Sequence, residues 1–467
     1  MSEHRQTSAA SRPNILVIMS DEHSPFVTGC YGNTQVRTPH LDALARDSFV
    51  FDRAYCNSPI CVPSRMSFLT GKYTHKIGVW DLDSRLPAQF ETYAARMSRL
   101  GYETALCGRM HITGSDRLRG FDKRLVDDRE EWLTSIVVPD RGPESRRWSN
   151  SHVSECGPGM GENQIYDRIV AETAVEYLKE KANEKSGKPW LLTVGFMSPH
   201  FPLIAPREFY DLYDPALMPL PDLHGETFET QHPVIRQLRY FFRTETDLPE
   251  SLVREALTCY YALVSYTDFL VGMILEAVDQ SPLKDNTVVI YVSDHGEMAG
   301  QHGLWQKNCF YEPSVRIPMM VRIPGMSGGK RIADNVSLVD LAPTFLELAG
   351  LPPGESDGDG QSIMNLIRGS REPERIVFSE YHAQGMLNAG YMILKGDWKF
   401  NYYVGERPQL FNIVEDPHEI CDLASHPDFA GIVADLKNEL YRIVNPEEVN
   451  RLAHLDQERR RKSRTRQ

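Results

Sequence analysis

A chain of 467 residues is too long for one small core, so a large domain with a smaller companion is expected. Its 41% hydrophobic and 25% charged residues are the proportions of a soluble globular protein. A formal net charge of −13, with no basic stripe interleaved with aromatics, argues against nucleic-acid binding, though a local cluster of cations could still take an anionic substrate.

The N-terminus is polar, and the apolar run Ile15–Met19 before Asp21 is strand-sized, too short for a signal-peptide core. No apolar segment approaches membrane-spanning length on this reading, so a soluble, cytoplasmic protein is expected, with no membrane partner. Residues 14–20 form a continuous apolar run, as in a strand covered on both faces of a parallel sheet. Residues 38–45, opening on Thr38 and Pro39, read as a capped helix. A helix over 90–100 and a strand over 103–107 follow, and the charge- and Gly-rich stretch 114–164 reads as long loops. The spacing predicts an amphipathic helix over 165–182, a buried strand over 190–196, and an extended loop over 199–223, which holds six prolines. A long helix over 252–278 and a strand over 287–292 complete the alternation. Strands alternating with helices indicate an α/β/α sandwich around a mixed, mostly parallel sheet. Beyond Gly369 the pattern becomes short strands at 376–380, 391–395, 398–404 and 409–411, then one amphipathic helix at 432–443. A small antiparallel sheet packed with one helix is expected there, which divides the chain into 1–372 and 373–467. The basic tail is expected to be a disordered, solvated end.

The eight cysteines (30, 56, 61, 107, 156, 259, 309, 421) contain no C-x-x-C pair, which excludes a disulfide framework and a zinc-ribbon pattern. One of them stands in a telling context: Cys61–Lys72 reads C-V-P-S-R-M-S-F-L-T-G-K. If this segment is helical, Cys61 and Arg65 share a face, and Pro63 suits the first helical turn. Cys61 then lies at a helix N-terminus, where free N–H groups favour an anion, and Arg65 adds a planar cation. Spacing alone gives an anion pocket with a cysteine at its mouth, or a buried structural cysteine beside a helix start. Three apolar runs end in polar groups: Asp21-Glu22, Ser198-Pro199-His200 and Asp294-His295-Gly296-Glu297. Ligands of open α/β sheets bind at the carboxyl ends of strands, and Asp21 with Asp294-His295 suits a hard divalent cation.

The Cys61–Lys72 segment resembles the maturation signature of the formylglycine-dependent sulfatases, C-x-P-S-R followed by x-x-x-L-T-G-[RK]. The resemblance extends along the chain through N-I-L-V-I-M-S-D-E, T-P-H-L-D-A-L-A, F-D-R-A-Y, G-R-M-H, S-P-H-F-P, S-D-H-G-E, G-L-W-Q-K and L-F-N-I-V-E-D-P-H-E. It implies hydrolysis of a small anionic sulfate ester, after a formylglycine-generating enzyme has oxidised Cys61 to an aldehyde whose hydrate is the nucleophile. It further implies that Asp21, Asp294, His295 and the residue made from Cys61 hold a divalent metal. Calcium is the family's usual ion, and magnesium or manganese fits the same donors. Arg65 and Arg109 would steady the hydrate, Lys307 would clamp the sulfuryl oxygens, His111 would act as base on the hydrate, and His200 would protonate the leaving oxygen.

Three positions depart from the commonest pattern. Glu22 stands where Asp or Gln is usual, Arg109 replaces a Lys, and His295 replaces an Asn, as in the choline-sulfatase and phosphonate-monoester-hydrolase branches. Two rival readings therefore stand beside sulfate hydrolysis: a phosphonate monoester or phosphodiester hydrolase using the same formylglycine, and a non-catalytic anion-binding relative. Trp80, Trp305, Phe310 and Tyr311 are candidates for shaping the alcohol's pocket, with core packing as the simpler role. Homo-oligomerisation is compatible with the sequence.

Overall fold

The computed structural model describes residues 12–129, 148–184 and 187–464. In chain order the strands are Asn14–Asp21 (β1), Phe49–Tyr55 (β2), Glu103–Gly108 (β3), Lys123–Val126 (β4), Cys156–Pro158 (β5), Trp190–Pro199 (β6), Leu203–Ala205 (β7) and Thr287–Ser293 (β8). There follow Arg316–Ile317 (β9), Met319–Arg322 (β10), Lys330–Ser337 (β11), Ile376–Tyr381 (β12), Gly390–Lys395 (β13), Trp398–Tyr403 (β14) and Gln409–Asn412 (β15). A nine-stranded sheet runs β11-β2-β10-β8-β1-β6-β3-β4, with β9 pairing β2 off that path. β8, β1, β6, β3 and β4 are parallel, β10 is antiparallel to both β8 and β2, and β11 pairs β2 in parallel.

β1 lies near the middle of this sheet and has no exposed residue. Its alternate side chains divide between two layers: Ile15, Val17 and Met19 face one, Leu16 and Ile18 the other. The first layer includes the helices Cys61–Thr70, Tyr93–Arg99 and Leu341–Leu348; the second includes Pro39–Arg46, Glu162–Asn183 and Glu250–Asp279. This double cover explains why β1 reads as an unbroken apolar run, and it is the expected α/β/α sandwich.

Ile376 opens a four-stranded antiparallel sheet in the order β12-β13-β14-β15. β13 again divides its faces: Met392 and Leu394 join the core of the large domain, while Tyr391 and Ile393 pack under two helices, Ala430–Ile443 and Pro446–Arg464. The second of these helices corrects the expectation of one helix and, as far as Arg464, that of a disordered tail; residues 465–467 fall outside the described residues. Val449 and Ala453 are buried, and Arg460 pairs with Asp81 and Asp83, so the basic end has tertiary partners as well as helical ones.

Other corrections concern segments with weak periodicity. Within 114–164 lie β4, the short helix Ser151–Ser154, β5 and the first turn of Glu162–Asn183; residues 130–147 fall outside the described residues. The proline-rich 199–223 contains β7, which pairs with β5, and a helical turn at Arg207–Tyr210. Glu250–Asp279 is long and apolar enough by composition to cross a membrane, against the expectation that no segment would be. In this fold 78% of its most apolar window is buried inside the protein, as a core helix between sheet and surface layers.

Candidate active site

The helix Cys61–Thr70 starts at Cys61 itself, with Ile60 in extended conformation before it and Pro63 in the first turn. Ser64 donates its hydroxyl to the Asp294 carbonyl at 2.6 Å, tying the helix start to the end of β8. Arg65, completely buried, reaches Asp294 Oδ2 through Nε at 2.7 Å, Asp21 Oδ2 through one terminal nitrogen at 3.1 Å, and the Arg109 carbonyl through the other at 2.8 Å. One guanidinium thus fixes three strand ends. The parallel run β8-β1-β6-β3 brings those ends to one edge, which is why Asp294, Asp21, His200 and Arg109 meet despite their separation in sequence. The turn into Arg109 passes close to β6, where the Arg109 amide donates to the Gly195 carbonyl at 2.9 Å. A Cβ at Gly195 would lie 1.8 Å from the Arg109 carbonyl oxygen, so only glycine fits there.

Ligand atoms of Asp21, Cys61, Asp294 and His295, all buried, lie within 4.8 Å of one another. Cys61 Sγ is 3.2 Å from His295 Nε2 and 3.6 Å from Asp21 Oδ1. His295 Nδ1 lies 3.0 Å from the Gly296 carbonyl, which can only accept, so the proton sits on Nδ1 and Nε2 offers a lone pair to the cluster. Burial alone would raise the Asp21 carboxyl, but Arg109, His200 and Arg65 outweigh it and hold the group well below the usual range. Burial, with Asp21 beside it, pushes the Cys61 thiol up to about 12.

On the opposite side Lys307 Nζ lies 2.8 Å from Glu22 Oε2 and 3.0 Å from His200 Nε2. His200 Nδ1 is 2.6 Å from the Phe201 carbonyl, leaving Nε2 as the nitrogen that faces the site. Phe201 stacks on His200 at 4.0 Å and lies under the Lys307 ammonium at 5.0 Å. His111 is buried, has a positive φ of 59°, and neither ring nitrogen has a partner among the described residues. Such an orphaned ring is ready to bond a ligand. Burial, then Arg109, pushes the His111 ring well below its usual range.

The structure therefore brings the predicted Asp21, Cys61, Arg65, Arg109, His111, His200, Asp294, His295 and Lys307 to one site. The two arginines face carboxylates of the cluster, with Arg109 Nε bonded to Asp21. Of the four aromatics, Trp80 packs under the C-terminal helices and Trp305, Phe310 and Tyr311 lie in cores. Sequence reasoning missed Asp128, whose carboxylate accepts the backbone amides of Met110, His111 and Ile112. Its only signal was the Asp127-Asp128 pair after a short strand, a pattern too common to single out.

Residues 13–351 match the Sulfatase family, and residues 300–445 match the C-terminal family of N-sulphoglucosamine sulphohydrolase. The chain belongs to the sulfatase family. It is 33% identical to a choline-sulfatase of Rhizobium meliloti (strain 1021) over 89% of this chain and 83% of the relative. It is 28% identical to arylsulfatase K of Mus musculus over 95% of this chain and 81% of that relative. Its fold is similar to the crystal structure of a phosphonate monoester hydrolase of Agrobacterium radiobacter, with a TM-score of 0.76 at 23% identity, covering 92% of this chain and 95% of the other. This sulfatase is accordingly a hydrolase, and sulfate-ester hydrolysis is the chemistry its relatives support.

Proposed function

We propose that this sulfatase hydrolyses a sulfate monoester to an alcohol and inorganic sulfate, with the residue at position 61 acting as nucleophile after oxidation to formylglycine by a maturing enzyme. The observation that carries the proposal is the convergence of Cys61 Sγ with Asp21, Asp294 and His295 at a helix N-terminus braced by Arg65. Two carboxylates and an imidazole lone pair are a fitting donor set for one divalent cation, calcium first and magnesium or manganese next. When present, the cation supplies Lewis-acid neutralisation and the aldehyde hydrate supplies an attacking oxygen.

The chain's own residues do the rest. Arg65 and Arg109 hold the carboxylates in place and keep the cluster cationic enough for a doubly charged transition state. Lys307 presents an ammonium to the sulfuryl and leaving oxygens, and His200 Nε2, bonded to it, completes the proton route to the departing alcohol. His111, with both nitrogens open, takes the proton whose removal restores the aldehyde. Phe201, stacked on the His200 ring, holds that ring in place.

The test is parallel kinetics on an aryl sulfate and an aryl phosphonate monoester, using protein coexpressed with a formylglycine-generating enzyme. Preference for the sulfate is expected, with Cys61→Ser lowering kcat by at least about a thousandfold and the Cys61 peptide showing the aldehyde mass. A preference for the phosphonate ester, or near-normal turnover by Cys61→Ser, overturns the proposal.

A further inference from the structure

Glu22 follows a cluster carboxylate, Asp21, and departs from the family pattern at that place, so its task has to be read from its surroundings. Continuing β1 would put its side chain on the far face of the sheet. Instead Glu22 has a φ of 67°, a left-handed conformation that a glutamate adopts only when neighbours impose it. Two contacts do so. The Glu22 amide donates to Asp294 Oδ1 at 3.2 Å, and its carbonyl accepts the Tyr260 hydroxyl at 2.8 Å. The Ser24 amide donates to the same Tyr260 oxygen at 3.0 Å, so the whole turn is clamped on one phenol.

This turn takes one carboxylate oxygen, Oε2, to the wall that carries Lys307 and His200, while Oε1 has no hydrogen-bond partner among the described residues; Glu22 is not among the residues grouped with Cys61, Asp294 and His295. At that wall Glu22 Oε2 lies 2.8 Å from Lys307 Nζ and 3.2 Å from His200 Nε2, while Lys307 and His200 are 3.0 Å apart: a closed triangle of two buried side chains and the half-buried His200. Asp21, Glu22 and His200 also approach closely enough to hold an ion, but the Lys307 ammonium already fills the space between Glu22 and His200. A second link secures the far end. Glu297 Oε1 accepts the amides of Ala299 and Gln306, which anchors the backbone immediately before Lys307.

We propose that Glu22 takes no part in holding the metal and is instead a positioning residue, fixing the Lys307 ammonium against His200 Nε2 on the leaving-group side. The inference rests on the sulfate-ester reading above. A long, flexible lysine side chain has many rotamers, and a buried carboxylate at 2.8 Å removes that freedom before substrate arrives. The contribution grows with the basicity of the departing alcohol, because a good leaving group departs without help while a poor one needs charge and a proton delivered at the oxygen.

The experiment compares wild type, Glu22→Gln and Glu22→Ala by bound metal per chain, measured by plasma mass spectrometry after gel filtration, and by kcat/KM across aryl sulfates of graded leaving-group pKa plus one alkyl sulfate. Glu22→Gln is isosteric and reports on a folded protein, with melting temperature as its check. The expected result is unchanged metal content together with a steeper leaving-group dependence. Glu22→Ala should lose roughly 10²–10³-fold on the alkyl sulfate and less than about tenfold on the most activated aryl sulfate, with Glu22→Gln between. Loss of metal in step with activity would make Glu22 a ligand and overturn the inference. So would an equal loss on every ester, which is what a merely structural role produces. A wild type that cleaves no sulfate ester defeats the functional reading, and the metal measurement then still decides whether Glu22 is a ligand.

Discussion

Asp128 shows how much a single carboxylate can arrange. It accepts three consecutive backbone amides, from Met110 at 3.1 Å, His111 at 2.9 Å and Ile112 at 3.1 Å, and Arg124 closes on it at 2.6 Å. This nest holds His111 at its positive φ, so the ring points into the site instead of back along the chain. Asp128→Ala would leave those amides without their acceptor, at about 1–3 kcal/mol for each that water cannot reach. A fall of about ten- to a hundredfold in kcat is expected, with KM nearly unchanged, together with a lower urea midpoint. A shift in KM alone would mean that Asp128 only shapes the surface. Cys61, Arg65 and the metal-type ligands were legible in the sequence because their chemistry demands particular residue types at particular spacings. Asp128 and Glu22 were not, since what they do depends on which backbone or ammonium the fold brings to them.

Between elements, the contact that joins the small sheet to the signature-bearing segment is ionic and buried. Glu380 on β12 accepts from the His75 amide at 2.8 Å, lies 2.9 Å from His75 Nδ1, and reaches His382 Nε2 at 2.8 Å. Burial raises the Glu380 carboxyl, but His75 and His382 outweigh it and lower it from 4.5 to about 2. Burial would lower His75, yet Glu380 raises it above 6.5. The Glu380 contribution is therefore present above pH 4.5 and lost as the pH falls through about 2, on the order of 3 kcal/mol in all. The His75 contribution is present below pH 6.5 and lost as the pH rises through its raised value. Both act together between pH 4.5 and 6.5. Urea midpoints followed against pH should show His75→Gln flattening the alkaline side; an unchanged alkaline slope would contradict this account. A second buried group, Lys399 on β14, lies between Glu312 and Glu419 at 3.0 and 2.8 Å and ties the small sheet to the helix Glu312–Val315. Regular strands and the long helices were readable from hydrophobic periodicity, whereas β5, β7 and the partners of Glu380 were not, because short elements and ion pairs carry no period.

Across the whole molecule the C-terminal helix Pro446–Arg464 closes the structure over the small sheet. Arg460 makes two contacts with buried Asp81, at 2.6 and 3.0 Å, and one with Asp83 at 2.9 Å; Gln457 adds a bond to Asp81 at 3.0 Å and one to the His382 carbonyl at 2.8 Å. Asp81 sits one residue after Trp80, which packs in the same core as Val449 and Ala453. Arg460→Ala should therefore cost about 3 kcal/mol, the low end for breaking a buried pair, and Arg459→Ala, on the exposed side, less than about 0.5 kcal/mol. Thermal unfolding of the two variants checks this. Equal effects would return the tail to the solvated end that its composition alone suggests. A run of arginines looks like a charged tail in one dimension, and only the position of two aspartates in the folded chain gives it a docking site.

The sequence by itself determined the sandwich and the order of its long elements, and its motifs, through their family resemblance, named the nine residues that the fold brings together. These are written as local periodicity and as residue types that metal, anion and proton chemistry requires. The tertiary structure alone decided what surrounds Cys61. The parallel strands β8, β1, β6 and β3 place the carboxylates and histidines at one edge, and Arg65 locks them around the first turn of a buried helix. It also decided where Glu22 reaches, because a backbone torsion set by Tyr260 and Asp294, from elements over two hundred residues away, brings that carboxylate to Lys307. Spacing along a chain does not encode such a turn; the hydrogen bonds that impose it exist only once the sheet has formed.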